Sequence, residues 1–366
     1  MTWTNTPTCP NKNMNTHPNR IAQPYTAIVT DDLPTPPPET LVSSKQATIY
    51  VPTPIHPDAL AHARAKFGKV LSCEDVEPEM GFGFADGILN RANPLPKYKL
   101  DQAHQLSAIS VVGVGVDSID LHACRERGIV MMNCPGANSS AVAELTLSLT
   151  LALLRRVPEL DRRLRSGEKG LLSIHNMGKS LRGKVVGLVG MGDTARKVAE
   201  LFHHAFDCSI HVYSPTTSPS RWTTADPAGS IPHIRHADLA AMLPQIDIVS
   251  LHCPLTESTR DLISTSELNM MKPDAILVNM SRGAVVDEKA LQVALSSQTI
   301  WAAASDVFEV EPAQKESMNG LMDLDNFVAT PHIGGSTVEA QKEVCILAID
   351  QLARYFDGFQ IRNRVC

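Results

Sequence analysis

At 366 residues the chain is longer than one hydrophobic core normally grows, so it predicts about two domains. A formal net charge of −6 without any basic block argues against nucleic acid and anionic membrane as partners. The longest apolar run, Ala141 to Leu154, is interrupted by Glu144 and stopped by Arg155 and Arg156, which makes it a buried helix and no membrane span. The eight cysteines lack paired spacing, which fits a reducing, cytoplasmic setting and neither a disulfide framework nor a metal site.

Residues 1–45 are rich in Thr, Asn and Pro and poor in large apolar groups, so they predict a disordered N-terminal tail. They lack acids before Asp31, as organelle presequences do, yet carry little Arg and no amphipathic helix period. Short apolar strands then alternate with helical segments. Strands are expected over Thr48–Val51, Gly87–Leu89, Ala108–Val112 and Val130–Met132, with helices over Asp58–Phe67 and Lys99–Gln105. This alternation implies a mostly parallel sheet covered on both faces. Ala137 to Gly167 predicts one long helix, bent near Pro158 and bridging to a second unit.

The second unit opens with Val185 to Ala195, VVGLVGMGDTA: a buried strand, then Gly190 and Gly192, then a helix start. Backbone N–H groups of such a turn, together with the helix N-terminus, favour a dinucleotide pyrophosphate, and Ala195 serves where the motif needs a small third residue. Further strands are expected over Ser209–Tyr213, Ile248–His252, Ala275–Asn279, Trp301–Val307 and Phe327–Thr330. Helices are expected over Arg196–Phe206, Leu239–Leu243, Thr265–Met271 and Lys289–Ser296. In a parallel sheet ligands bind beyond the carboxyl ends of the strands. Those ends carry Gly190, Ser214, His252 with Cys253 and Pro254, Asn279 through Arg282, Asp306 and His332, which predicts one cleft.

Seven stretches carry a resemblance. GVGVDSID (113–120), NCPGANSSAVAE (133–144), GLVGMGDTA (187–195), DIVSLHCPLTEST (247–259), MKPDAILVNMSRGAVVD (271–287), DVFEVEP (306–312) and TPHIGG (330–335) are similar, in order and spacing, to the D-isomer-specific 2-hydroxyacid dehydrogenase family. The resemblance covers about residues 46–360 and implies an α/β protein of two doubly wound parallel-sheet domains. A Rossmann cofactor domain, 143–334, would be inserted into a flavodoxin-like substrate domain, 46–142 and 335–366. It further implies an NAD(P)-dependent oxidoreductase, a homodimer, with Arg282, Glu311 and His332 as catalytic groups. Carried over position by position, it implies cofactor contacts at Gly190, Gly192, Asp193, Thr194, Cys253, Pro254, Thr259, Met280, Ser281, Asp306 and Gly334, with Asp306 accepting from the nicotinamide carboxamide.

The chemistry of the three catalytic groups also stands by itself. Arg282 has the planar fork that grips a carboxylate through two hydrogen bonds. His332 can give a proton to a carbonyl oxygen near neutral pH and take it back in reverse. Glu311 would orient the imidazole and favour its charged form. His252 is expected to pack near the cofactor without a catalytic role.

Departures from the family pattern narrow the reading. A site preferring NAD(H) wants an acid at the end of the second strand, where Ser214 and PTTSPSR (215–221) stand. Ser214, Thr216, Thr217, Ser218 and Arg221 can bond and neutralise a 2′-phosphate, so NADP(H) is favoured and NAD(H) is the alternative. For the substrate, a small 2-oxo or 2-hydroxy acid, the Val112–Gly115 backbone, Val114 and Gly115 in particular, would meet the carboxylate beside Arg282, and Arg91 could reach it. Val111 stands where phosphoglycerate-type members carry a cation, and the sequence stops at residue 366 without a regulatory domain; both weaken 3-phosphoglycerate. Glyoxylate, hydroxypyruvate and bulkier 2-oxo acids stay open. The alternative function is a dinucleotide-sensing interaction protein similar to C-terminal-binding corepressors, which share this fold. A formate-type dehydrogenase is disfavoured because that branch replaces the acid of Glu311 by an amide.

Overall fold

The computed structural model describes residues 42–91 and 93–366. The predicted tail lies outside these residues except for 42–45, and that end is held in place: Ser44 is buried and its N–H donates to Asp357 at 3.0 Å. Backbone contacts divide the chain into two compact units, one ending at Ala137 and resuming at Val338–Cys366, the other Asn138–Thr337. The boundaries expected at 142/143 and 334/335 fall inside the second unit, which starts at Asn138, the cap of the helix Ser139–Leu154.

In the first unit the elements run β1 (Thr48–Val51), α1 (Pro57–Lys66), β2 (Lys69–Ser72), α2 (Pro78–Gly83), β3 (Gly87–Asn90), α3 (Lys97–Gln102), β4 (Ala108–Val111), α4 (Leu121–Glu126) and β5 (Val130–Met132). All five strands are parallel in the order β2-β1-β3-β4-β5, the flavodoxin-like arrangement. Local chemistry starts the helices: Pro57 opens α1, and the Asp120 carboxylate caps α4 by accepting from the Ala123 N–H at 2.9 Å.

The second unit contains α5 (Ser139–Leu154), α6 (Val157–Arg165), β6 (Val185–Val189), α7 (Asp193–Phe206), β7 (Ser209–Tyr213), β8 (Ile234–His236), α8 (Leu239–Met242), β9 (Ile248–Leu251), α9 (Thr265–Met270), β10 (Ile276–Asn279), α10 (Glu288–Ser296), β11 (Ala302–Ser305) and β12 (Phe327–Ala329). The sheet is parallel throughout, in the order β12-β11-β10-β9-β6-β7-β8. This is the Rossmann order extended by one strand, with the direction of winding reversing between β6 and β9. The chain then returns to the first unit through α11 (Val338–Phe356), whose Val344, Ala348, Ile349 and Leu352 pack with Ile49, Val51 and Leu89.

Five of these elements are absent from the sequence reading: β2, β8, α11 and the six-residue helices α2 and α4. β2 and β8 are sheet edges with few buried residues, and α11 carries charged residues on either side of its apolar middle, 344–349. The single helix expected over Ala137 to Gly167 is two helices, separated by Arg156 in the left-handed region at φ 55°. Pro158 has no N–H to offer the Leu154 carbonyl, which accepts instead from the Lys179 N–H at 2.7 Å. A Cβ on Gly178 would collide with that carbonyl, so glycine is needed for the approach. No helix among the described residues is long and apolar enough to cross a membrane.

Candidate active site

Because every strand of the seven-stranded sheet is parallel, the loops after β6, β7, β9, β10, β11 and β12 leave from one edge. At its centre Gly190 adopts φ 109° and donates its N–H to the Tyr213 carbonyl at 2.8 Å. A Cβ there would lie 2.8 Å from the His252 carbonyl oxygen, so only glycine lets the turn close against the β9 loop. Gly192 caps the 14-residue α7, and nothing lies within 4 Å of where its Cβ would be. Open space over a glycine at a long helix N-terminus fits a pyrophosphate, so the residues present suit a dinucleotide.

The other expected cofactor residues on this side are already bonded within the chain. Asp193 pairs with Arg221 at 2.8 Å, and the Arg221 Nε also points to the Met191 carbonyl at 3.4 Å. Arg221 therefore fastens the segment after β7 to the glycine turn, and its charge is matched by a carboxylate. Thr194 shares a 3.2 Å hydrogen bond with Ser139. Ser214 is buried, with its hydroxyl 2.7 Å from that of Thr217. Sequence reasoning missed Arg235 on β8, whose guanidinium donates to the carbonyls of Ser214, Thr217 and Ser218. A lone arginine in a short edge strand carries no motif that would have found it.

In the β9 loop, burial pushes the Cys253 thiol up to about 11, so it is a packing group and no nucleophile. Pro254 accepts from the Thr259 hydroxyl at 2.7 Å, which in turn accepts from the Thr256 N–H at 2.7 Å. His252 bonds Ser250 at 2.8 Å, and burial pushes it down to about 3, which keeps it neutral and outside acid–base chemistry at physiological pH.

Beyond β10, the Asn279 side chain shapes the next turn. Its oxygen accepts from the Ser281 N–H at 3.1 Å and hydroxyl at 2.8 Å, and its amide donates to the Arg282 carbonyl at 2.9 Å. Met280 and Ser281 are buried, and Arg282 Nη1 donates to the Ser281 carbonyl at 2.7 Å. Gly283 lies directly against the Phe308–Glu309 backbone, where any Cβ would overlap main chain. That contact brings the loop of Arg282 against the loop of Glu311.

Asp306 is 2 % exposed and anchors the loop after β12. One carboxylate oxygen accepts from the Thr330 hydroxyl at 2.6 Å and the Ile333 N–H at 2.8 Å, and the other from the Gly334 N–H at 2.7 Å. Its backbone carbonyl accepts from the His332 N–H at 2.8 Å. His332 is thereby held at φ 54°, with Nδ1 2.7 Å from Glu311 Oε2. Glu311 also accepts from the Phe308 N–H at 3.0 Å. Burial raises the Glu311 carboxyl, but hydrogen bonds from His332 and Phe308 and the charges of His332 and Arg282 outweigh it and hold the group below its usual range. A carboxylate, an imidazole and a guanidinium thus lie together beside a dinucleotide turn. Among the described residues no group of three or more His, Cys, Asp or Glu could hold a metal ion.

In the first unit, Arg91 is exposed just past β3, and Val114 is 47 % exposed after β4. Of the four N–H groups expected to meet a carboxylate, those of Val112 and Gly113 donate instead to Asn90 and Val111 at 2.8 and 2.9 Å. Gly115 follows in the same loop, partly exposed.

A glycine turn at the centre of a seven-stranded Rossmann sheet, with an Arg, a Glu and a His on its carboxyl edge, defines a dinucleotide-dependent α/β enzyme. The model for the NAD binding domain of D-isomer specific 2-hydroxyacid dehydrogenases matches residues 147–334. The hydroxypyruvate reductase of Thermotoga maritima is 39 % identical over 69 % of this chain and 78 % of its own length. The D-3-phosphoglycerate dehydrogenase of Archaeoglobus fulgidus is 36 % identical over 73 % of this chain, which spans 48 % of that relative. Among solved structures, the NADPH-dependent glyoxylate/hydroxypyruvate reductase of Sinorhizobium meliloti, in complex with NADP and malonate, is 29 % identical with a TM-score of 0.73, over 85 % of this chain and 94 % of its own. The chain belongs to the D-isomer specific 2-hydroxyacid dehydrogenase family and is an NAD(P)-dependent oxidoreductase.

Proposed function

We propose that this protein reduces a small 2-oxo acid, of the size of glyoxylate or hydroxypyruvate, to the D-2-hydroxy acid at the expense of NADPH. The observation that carries this reading is the 2.7 Å pair of His332 and Glu311, held on a loop whose donors converge on Asp306. A bound nicotinamide supplies the hydride. His332 gives a proton to the carbonyl oxygen as it gains charge, and Glu311 keeps the ring oriented. Arg282 grips the substrate carboxylate with a planar fork. In the first unit we assign Arg91 and the Val114–Gly115 backbone to the substrate as well.

The absence of an acid at Ser214 supports NADP(H) over NAD(H). Val111, buried at 3 %, offers no cation for a phosphorylated substrate. Val157, Leu164, Leu172, Ile174 and Met177, all more than half exposed, support a homodimer that covers them, and light scattering should return twice the chain mass. The enzymatic test is nicotinamide absorbance across a panel of 2-oxo acids with NADPH and NADH. Turnover with NADPH and small 2-oxo acids is the expected result. Silence on the whole panel, together with cofactor-dependent capture of another protein, would replace this reading with that of a dinucleotide sensor.

A further inference from the structure

We infer that Arg235, and not Arg221, sets the preference of this enzyme for a 2′-phosphorylated dinucleotide; the inference rests on the NADP(H) reading above. Among the described residues β8 is the last strand of the sheet and pairs only with β7, Val212 opposite Arg235. From that edge the guanidinium reaches the segment that follows β7. Its Nη2 donates to the Ser214 carbonyl at 2.7 Å and to the Thr217 carbonyl at 2.5 Å, and its Nη1 donates to the Ser218 carbonyl at 3.0 Å. Three main-chain oxygens within five residues of chain therefore converge on one side chain. The loop is wound round a cation at the place where a site for NAD(H) presents an anion.

The nature of those partners decides what the cation can do. Carbonyl oxygens are neutral, so they position the guanidinium and leave its unit charge in place. No carboxylate among the described residues forms an ion pair with Arg235. The other arginines near this segment differ. Arg221 is matched by Asp193 at 2.8 Å and faces Asp226 at 3.8 Å, and Arg196 is matched by Glu200 at 3.0 Å and Asp226 at 3.5 Å. Their fields are largely cancelled at a distance of one phosphate group.

Hydroxyls complete the arrangement. Ser214 and Thr217 share one hydrogen bond of 2.7 Å, which uses the proton of one hydroxyl and leaves that of the other for an outside acceptor. The ligand chemistry these groups recognise is a phosphate monoester on the ribose of an adenosine: a dianion that gains from a fixed, unneutralised cation and from a hydroxyl donor. Because the loop already holds the guanidinium, little side-chain freedom is lost when the anion arrives.

The test is calorimetric and needs no turnover. Adenosine 2′,5′-bisphosphate and 5′-AMP are titrated separately into the full-length wild type and into Arg235→Gln, Arg235→Lys and Arg221→Gln. Glutamine keeps an amide donor for the carbonyls without the charge, and lysine keeps the charge without the fork. The wild type should bind the bisphosphate at least about tenfold more tightly than AMP, as one charge-assisted contact implies. Arg235→Gln should bring that ratio to within about twofold of unity with AMP affinity unchanged. Arg235→Lys and Arg221→Gln should keep most of it. An undiminished ratio in Arg235→Gln overturns the inference and leaves the NADP(H) reading standing. Equal weakening of both probes makes Arg235 a mere scaffold for the loop and also overturns it. A wild type that does not distinguish the probes overturns the NADP(H) reading itself.

Discussion

The two ends of the carboxyl edge of the seven-stranded sheet hold their charged groups in opposite ways. Past β10, β11 and β12, side chains are held by other side chains or fix loop amides: His332 by Glu311, and the loop of His332 by the Asp306 carboxylate. Past β7 and β8, Arg235 is held by three carbonyl oxygens and by no carboxylate among the described residues. A carboxylate partner tunes and orients a neighbouring group, which suits proton transfer. Carbonyl partners orient without neutralising, which suits the attraction of an external anion.

The sharpest way to break the first half of this contrast is to separate its two loops. Gly283→Ala inserts a Cβ into the Phe308–Glu309 backbone, so unfolding by denaturant should show a loss of about 3 kcal/mol, with activity lost in the same step. A variant of wild-type stability would mean that the loops of Arg282 and Glu311 do not depend on this contact.

Next in size is Arg282→Lys, which keeps the charge but removes the fork. The value of kcat/KM for the 2-oxo acid should fall about tenfold to a hundredfold, with dinucleotide affinity unchanged. Steady-state kinetics decide it, and an effect below twofold would move the carboxylate clamp elsewhere.

The smallest effect is expected from Glu311→Gln, read as a pH dependence. The Glu311 carboxyl is held below its usual range, so its ionised form stabilises the fold above about pH 4.3, and this contribution is lost as pH falls through the lowered native value. The variant should therefore lose less stability than wild type on acidification through that window. A stability profile superimposable on that of wild type would mean that the ionised Glu311 carboxylate contributes nothing to the fold and only positions His332.

The same contrast accounts for what could be read from the chain alone. Buried strands such as Val185–Val189 and Ile248–Leu251 are unbroken apolar runs and were legible, as was the glycine turn between two of them. The pairing of Glu311 with His332 was legible because each sits in a motif that follows a strand, as Arg282 does. Asp306 was read as a cofactor partner; its bonds to Thr330, Ile333 and Gly334, which anchor the loop after β12, were not legible because no local pattern announces them. Arg221 was read as an anion-binding residue because it lies near Ser214 in sequence, and its partner Asp193 is 28 residues away. Arg235 was not legible at all, since its partners are carbonyls that every residue possesses. Edge strands β2 and β8 escaped for a related reason: few of their side chains are buried, so the apolar signal is weak.

The account rests most heavily on His332 as the proton donor for 2-oxo acid reduction, and one measurement addresses it directly. His332→Ala is assayed for NADPH oxidation with the best 2-oxo acid of the panel, and its affinity for NADPH is measured by fluorescence on the same preparation. Turnover should fall about 10²- to 10⁴-fold with the dinucleotide affinity within twofold of wild type. Undiminished turnover would contradict the assignment.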